Sequence, residues 1–340
     1  MKIAVDAMGG DHGPAVVVEG AIVAQQELGV SVVLVGDQAA IEREVERLGA
    51  RRPGVEIRHA SQIVGMAESP SQALRRKRDS SLRVAAELVR DGHASAFVSA
   101  GNTGAALAVA MFVIGVLRGV DRPAIAAVLP NLRGYTVLLD VGANVTPRSW
   151  HLFQFAVMGH VYARDILGIS RPRVGLLSVG EEEGKGNDLT REAYDTLRES
   201  SLNFVGNVEG RDIYNGSCDV VVTDGFTGNV AIKISESLAD MLGAMIKEEL
   251  TRDLRSRVGA ALAVPAFLRF RKRVDYTETG GAPLLGIDGA AVISHGSSPA
   301  KAIKNAVRVA VEWAKAGLND HIRTALDAEL TRSQGEGGRA

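Results

Sequence analysis

The sequence predicts an α/β fold, with a mostly parallel sheet covered by helices on both faces. Short, continuous apolar runs alternate with helical stretches along the chain, the pattern of strands buried on both sides. Five of these runs also end in loops of glycine, asparagine and acidic residues. Ile3-Ala4-Val5 leads into Asp6-Ala7-Met8-Gly9-Gly10-Asp11, and Ala96-Phe97-Val98 into Ser99-Ala100-Gly101-Asn102-Thr103-Gly104. Val137-Leu138-Leu139 leads into Asp140-Val141-Gly142-Ala143-Asn144, and the run at 174–177 into a loop from Gly180 to Asn187. Val220-Val221-Val222 leads into Thr223-Asp224-Gly225-Phe226-Thr227-Gly228-Asn229. Loops leaving the carboxyl ends of such a sheet are expected to gather on one edge. Glycine there lets the backbone approach an anion, and asparagine and threonine add neutral donors.

In order, apolar runs place strands at 2–6, 31–36 and 55–59, separated by helical stretches at 14–28 and 38–48. A helix at 80–91, a strand at 95–99 and a helix at 103–117 follow, then strands near 124–129 and 135–140 and a long helix over 149–167. The second half reads as strand 173–178, helix 188–200, strands 203–207 and 220–224, and helix 228–250. A last helix at 299–316 has Ser298 as its expected N-cap and Pro299 at its first position. Residues 1–330 read as one α/β unit, or two intimately joined lobes, and 331–340 as a disordered tail. Residues 251–278 break the pattern: apolar Phe267, Leu268 and Phe270 stand beside Arg269, Arg271, Lys272 and Arg273, hinged at Pro265. This segment reads as a projecting helical hairpin. Composition alone favours dimer packing with solvated charges over contact with lipid headgroups.

At 340 residues the chain has ample length for a core, and a net charge of −1 offers no field to recruit nucleic acid. Aromatics at 4% leave few platforms for stacking bases. Cys218 is the single cysteine, which excludes a disulfide framework and a thiolate zinc site and fits a reducing compartment. The chain enters a strand at Lys2, leaving no room for a signal-peptide core. No charged residue occurs between Gly92 and Leu117, yet the clean part at 105–117 is too short for the ~20 residues that span a bilayer. It reads as a buried helix.

The chain has no G-x-G-x-x-G, no G-x-S-x-G and no H-E-x-x-H, and Gly180-Glu181-Glu182-Glu183-Gly184-Lys185-Gly186 is an incomplete Walker loop. Its seven histidines lack ligand spacing, so neither a metal nor another cofactor is expected. The Asn102-Thr103-Gly104 junction reads as an anion cradle at a helix start or as a plain tight turn. Ser294-His295-Gly296-Ser297-Ser298 is a second such junction, where Lys301 and Lys304 hint at an anionic visitor. Lys185 alone reads as a solvated loop charge, and Asp224 with Asn229 either as orienting groups or as a turn and helix cap. Asp6 and Asp140 end strands and read as turn caps. Cys218, with Asp219 beside it, reads as structural. The run Arg75-Arg76-Lys77-Arg78 is a solvated surface or a receiver for an acidic protein or anionic headgroup.

Taken in order, eight motifs make the chain resemble the acyl-ACP:phosphate acyltransferase (PlsX) family from Met1 to about residue 318. They are Val5-Asp6-Ala7-Met8-Gly9-Gly10-Asp11, Ser71-Gln72-Ala73-Leu74-Arg75-Arg76-Lys77 with Asp79-Ser80-Ser81, Ser99-Ala100-Gly101-Asn102-Thr103-Gly104-Ala105, and Asp140-Val141-Gly142-Ala143-Asn144. The others are Gly180-Glu181-Glu182 with Gly184-Lys185-Gly186, Thr223-Asp224-Gly225-Phe226-Thr227-Gly228-Asn229, Gly280-Gly281-Ala282-Pro283-Leu284-Leu285-Gly286, and His295-Gly296-Ser297-Ser298.

The resemblance implies transfer of a fatty acyl group from acyl carrier protein to inorganic phosphate, giving an acyl phosphate for phospholipid synthesis. It also implies a homodimer and an isocitrate/isopropylmalate-dehydrogenase-like fold shared with phosphotransacetylases. A cytoplasmic protein held peripherally at the inner face of the membrane, near the downstream glycerol-3-phosphate acyltransferase, completes the expectation. That raises the lipid-facing reading of 251–278. On this footing, phosphate is expected at Asn102, Thr103, Gly104, His295, Ser297 and Ser298, with help from Asn144. Lys185 is expected to neutralise developing charge, Asn229 to donate, and Asp224 to orient them. Arg75, Arg76 and Lys77, with Phe267, Leu268, Phe270, Arg271 and Lys272, are expected to meet carrier or membrane. A short-chain coenzyme A-dependent phosphotransacylase, a dinucleotide-dependent dehydrogenase and a non-catalytic lipid-carrier scaffold stay open as alternatives.

Overall fold

In the computed structural model, residues 1–49, 54–274 and 276–337 are described. Eleven strands form one sheet in the order β3-β2-β1-β4-β11-β10-β5-β6-β9-β7-β8. The first half holds β1 (Lys2–Asp6), β2 (Ser31–Gly36), β3 (Val55–His59) and β4 (Ala96–Ser99), all parallel. The second holds β5 (Ala124–Pro130), β6 (Tyr135–Leu139), β7 (Arg173–Leu177), β8 (Asn203–Val208) and β9 (Val220–Val222). Between the halves lie β10 (Ala282–Leu285) and β11 (Ala291–Ile293), which the sequence reading missed because both are very short.

Alternate strand residues enter opposite cores. Ile3 and Val5 pack with α1 (Gly13–Leu28) and α11 (Ala300–Ala316), in a core that α6 (Ser149–Asp165) continues over β6 and β9. Ala4 and Phe97 face α4 (Ser81–Arg90) and α5 (Thr103–Val109). With Ile3, Ala4, Val5, Phe97 and Val98 all fully buried, these strands must be apolar throughout, which is why they read as continuous runs. The charge-free stretch forms α5 and a π-helical turn at Ala110–Ile114, so it ends sooner than expected. Among the described residues no helix is long and apolar enough to cross a membrane.

Strand direction corrects the expectation of a single loop edge. β10 is antiparallel to both β11 and β5, and β5 is antiparallel to β6. Since β11 runs with β4, while β9 and β7 run with β6, the strands of the first half and β5 point one way and the rest of the second half the other. The loops after β1, β4 and β11 therefore share one edge, and those after β6, β7 and β9 share the other.

The end of the chain also differs. Pro299, rather than Ser298, occupies the N-cap of α11, with no side-chain cap bond. Helix α12 (Leu318–Gly337) continues through 331–337, which the tail expectation covered, and residues 338–340 lie outside the described residues. Its Leu318, Ile322 and Leu326 are buried and hold it to the body.

The hairpin expected within 251–278 is not formed there: α10 (Leu254–Val274) is one helix, and it pairs instead with α9 (Gly225–Thr251), the chain turning at 252–253. Pro265 lies inside α10 and is not the hinge. At 27 residues α9 is ~40 Å long at ~1.5 Å per residue, and its buried residues are Gly225 and Gly228 in the first turn.

Candidate active site

The first edge is built around Asp6. Its Oδ2 accepts a hydrogen bond from Ser99 Oγ at 2.7 Å across the β1–β4 pair. Ser99 Oγ accepts from Gly101 N–H at 3.0 Å, so one buried carboxylate sets the turn after β4. Burial pushes the Asp6 carboxyl above its ordinary pKa, while bonds from Ser81, Ser99 and the N–H groups of Met8 and Gly9 oppose that shift. A Cβ on Gly9 would lie 2.7 Å from Gly101 N, so only glycine allows the two loops to touch there. Asp11 N–H donates to Gly296 O at 2.8 Å and ties in the loop after β11.

Asn102 is consumed by structure. Its Oδ1 accepts Ala105 N–H at 2.9 Å and caps α5, while Nδ2 donates to Met66 O at 2.7 Å and Glu68 O at 3.0 Å. Thr103 and Gly104 form the first turn beside it, and Gly104 packs on Pro70 at the start of α3 (Pro70–Arg76). His295 Nδ1 and Ser297 Oγ are hydrogen-bonded at 2.7 Å, with both residues exposed. Ser298 is buried and donates its N–H to His295 O at 2.9 Å. Lys301 pairs with Glu278 at 2.8 Å and Lys304 with Glu27 at 3.0 Å, so protein carboxylates take the place of the expected anionic visitor.

The second edge is built around Asp140. Its Oδ1 accepts from the N–H groups of Ile125 at 3.0 Å and of Gly142 and Ala143 at 3.1 Å each. Its Oδ2 accepts from Asn144 N–H at 2.6 Å and Asn144 Nδ2 at 3.0 Å. Burial raises this carboxyl too, opposed by the bonds from Ala143, Asn144 and Ile125. Asn144 Nδ2 also donates to Pro123 O at 2.8 Å, so the buried side chain has no donor left for phosphate.

Gly225 N–H donates to Asn144 O at 2.8 Å, seating the start of α9 on this loop. Asp224 caps α9: its Oδ1 accepts from Phe226 N–H at 3.0 Å and Thr227 N–H at 2.9 Å, and Oδ2 from Thr227 Oγ1 at 2.7 Å. Asn229 is exposed one turn further on, beside Gly142. In the loop after β7, Glu181 pairs with Arg211 at 2.6 Å and Glu183 pairs with Arg198. That leaves the exposed Lys185 ammonium unpaired among the described residues.

The two expected groups are thus separated. Asn102, Thr103, Gly104, His295, Ser297 and Ser298 stand at the first edge, and Asn144, Lys185, Asp224 and Asn229 at the second. Of the basic run, Arg75 and Arg76 are exposed, but Lys77 donates to Glu68 at 2.6 Å and Ile63 O at 2.5 Å. Phe267, Leu268 and Phe270 are exposed on α10; the side chains of Arg271 and Lys272 lie outside the described residues.

The family model described as "Fatty acid synthesis protein" matches residues 1–321. The chain belongs to the fatty acid synthesis protein family. Among its relatives, "Phosphate acyltransferase" of Geotalea uraniireducens is 54% identical, covering 96% of this chain and 94% of that protein. The phosphate acyltransferase of Geobacter sulfurreducens is 52% identical with 97% and 96% covered. The resemblance read from the eight motifs is therefore borne out. The EutD phosphotransacetylase of Staphylococcus aureus has a TM-score of 0.62 at 17% identity, with 92% of this chain and 94% of that one covered. A phosphotransacetylase from Streptococcus pyogenes scores the same at 18%, with 96% and 94% covered. Both show the shared α/β fold.

In this member of the fatty acid synthesis protein family, the motifs passed over one feature of the first edge. A cavity of ≈ 380 Å³ lies between the end of β5, Tyr214 on α8 (Asp212–Asn215) and α9, with His295 and Ser297 in its wall. The hydroxyls of Tyr214 and Ser235 are hydrogen-bonded across it. Its walls come from four separate stretches of chain, so no local sequence signal marks it.

Proposed function

We propose that the protein transfers a fatty acyl group from acyl carrier protein to inorganic phosphate, releasing acyl phosphate and free carrier for phospholipid synthesis. What carries the reading is near-full-length identity, at 54%, to a protein named phosphate acyltransferase. Phosphate is already an anionic nucleophile near neutral pH. One of its oxygens attacks the thioester carbonyl, the C–S bond breaks, and the departing thiolate takes up a proton.

Such a reaction needs positioning and oxyanion stabilisation rather than an enzyme nucleophile. The first edge supports phosphate binding there. Ala105 and Ala106 N–H already bond Asn102, so the N–H groups of Thr103 and Gly104 are left for an anion, with His295 and Ser297 on the same edge as side-chain partners. Asn102, Asn144 and Asp224 act by positioning. Lys185 and Asn229 remain donors of the second edge.

The exposed apolar seam of α9, with Val230, Ile234, Leu238, Met241 and Met245, supports a homodimer. Exposed Leu262, Leu268 and Phe270 on α10 support peripheral attachment to the inner face of the cytoplasmic membrane, near the next acyltransferase. Arg75 and Arg76 suit an acidic carrier.

The test is a release assay on long-chain acyl carrier protein with no added metal or nucleotide. Free carrier should accumulate only when orthophosphate is supplied. Equal release in phosphate-free buffer would make the protein a thioesterase.

A further inference from the structure

We propose that the cavity between the end of β5 and α9 holds the acyl chain of the thioester substrate. The inference rests on the phosphate-acyltransferase reading and adds to it the place of the chain. Chemistry at His295 and Ser297 fixes where the carbonyl carbon must stand, so the chain has to leave from that point. The cavity is open to that point, since both residues are part of its wall. Its volume of ≈ 380 Å³ falls within the ~300–1,000 Å³ of pockets that bury small ligands.

The lining suits a neutral alkyl chain. Leu129 and Pro130 from β5 face Ile232 and Ala239 from α9. Two of the lining hydroxyls are already satisfied: that of Tyr214 is bonded to that of Ser235, which also donates to Ala231 O at 2.7 Å. A methylene chain beside these two hydroxyls therefore strands neither of them. Glu236, paired with Lys233 at 2.9 Å, and Asp240 also line it, and the Asp240 carboxylate disfavours entry of a free fatty-acid anion or of phosphate. Phosphate is thereby kept to the loop side, and the uncharged chain to the helix side.

Helix periodicity extends the path. Ile232, Ala239 and Ile246 recur every seven residues on α9, so the side lining the cavity runs on toward the turn into α10. Gly243 on that stretch has open space where a side chain would stand. A long chain can therefore continue along α9 beyond the cavity.

The test compares octanoyl and hexadecanoyl carrier protein as substrates of the full-length protein and of Ala239→Phe, which narrows the cavity. The ratio of kcat/KM for hexadecanoyl to octanoyl substrate should fall at least tenfold in the variant. An unchanged ratio would overturn the assignment, whatever happens to the absolute rates. Should Ala239→Phe not fold, as judged by thermal melting, Ala239→Val is read in the same way with a smaller shift. In parallel, a hexadecanoyl substrate with a photoreactive group at mid-chain should label 232–240 in the wild-type protein, and labelling only elsewhere would also reject the site. If wild type forms no acyl phosphate from either substrate, the function reading fails. If wild type turns over and the ratio and label do not move as stated, the chain site alone fails.

Discussion

Asp140 holds Asn144 twice, accepting its backbone N–H at 2.6 Å and its side-chain amide at 3.0 Å through the same oxygen. The pair fixes the loop on which the first turn of α9 is seated, since Asn144 O accepts Gly225 N–H at 2.8 Å.

Asn144→Ala should therefore be a stability variant. It leaves Pro123 O and one carboxylate oxygen short of a donor, at a cost of about 1–3 kcal/mol. Urea unfolding should show the lower midpoint, while KM for phosphate changes less than threefold. A large rise in that KM with an unchanged midpoint would return Asn144 to the phosphate site.

Asp6→Asn tests the buried carboxylate at the other edge. Its raised pKa in the folded state means that the fold binds the proton more readily than the unfolded chain. Wild-type stability from this group is therefore full below the unfolded value, about 3.9, and is lost as pH rises through the folded one. The stability of Asp6→Asn relative to wild type should grow between pH 4.5 and pH 7.5. A constant difference across that range would show that Asp6 is not held in this way.

Cys218 should be dispensable for the chemistry. It is buried, and burial raises its thiol pKa, so it is a poor nucleophile. Cys218→Ala should keep turnover within a few-fold and lower stability by about 1 kcal/mol. An acyl group trapped on its sulfur would contradict direct attack by phosphate.

Lys185→Ala and Asn229→Ala probe the second edge. If these groups touch the transition state, each variant loses about 10²–10³ in turnover with fold and dimer intact, the usual loss for one such donor. Wild-type rates in both would confine the reaction to the edge of His295.

Leu268→Ser with Phe270→Ser should abolish flotation with anionic liposomes, with turnover on soluble substrate retained. Attachment by the wild type should weaken with salt, because each basic residue near an anionic surface contributes about 1 kcal/mol. Loss of the dimer in place of flotation would show that α10 packs against protein.

The strands of both halves were legible because continuous apolar runs such as Val32, Val33 and Leu34 are buried on both faces. The short elements were not. Neither β10, with four residues, nor α8, also with four, carries enough periodicity to be recognised. Missing β10 also hid the reversal of strand direction, and with it the division of the site loops between two edges. Individual roles were less legible than motifs because asparagine and aspartate serve equally as ligands and as caps. Asn102 and Asp224 proved to be caps, with bonds to Ala105 and to Phe226 and Thr227.

The place of β10 and β11 has a consequence for synthesis. The strand bordering β4 on its free side is β11, and β10 joins β11 to β5, so within the sheet the halves are linked through residues 282–293. A ribosome adding about 5–20 residues per second exposes the β4 and β5 edges for many seconds before their partners emerge. Unpaired strand edges recruit other chains, so a nascent chain stalled before residue 282 is the species most prone to aggregate. Contacts this distant in sequence also form slowly, and closure of the sheet's centre is expected to be a late event in folding.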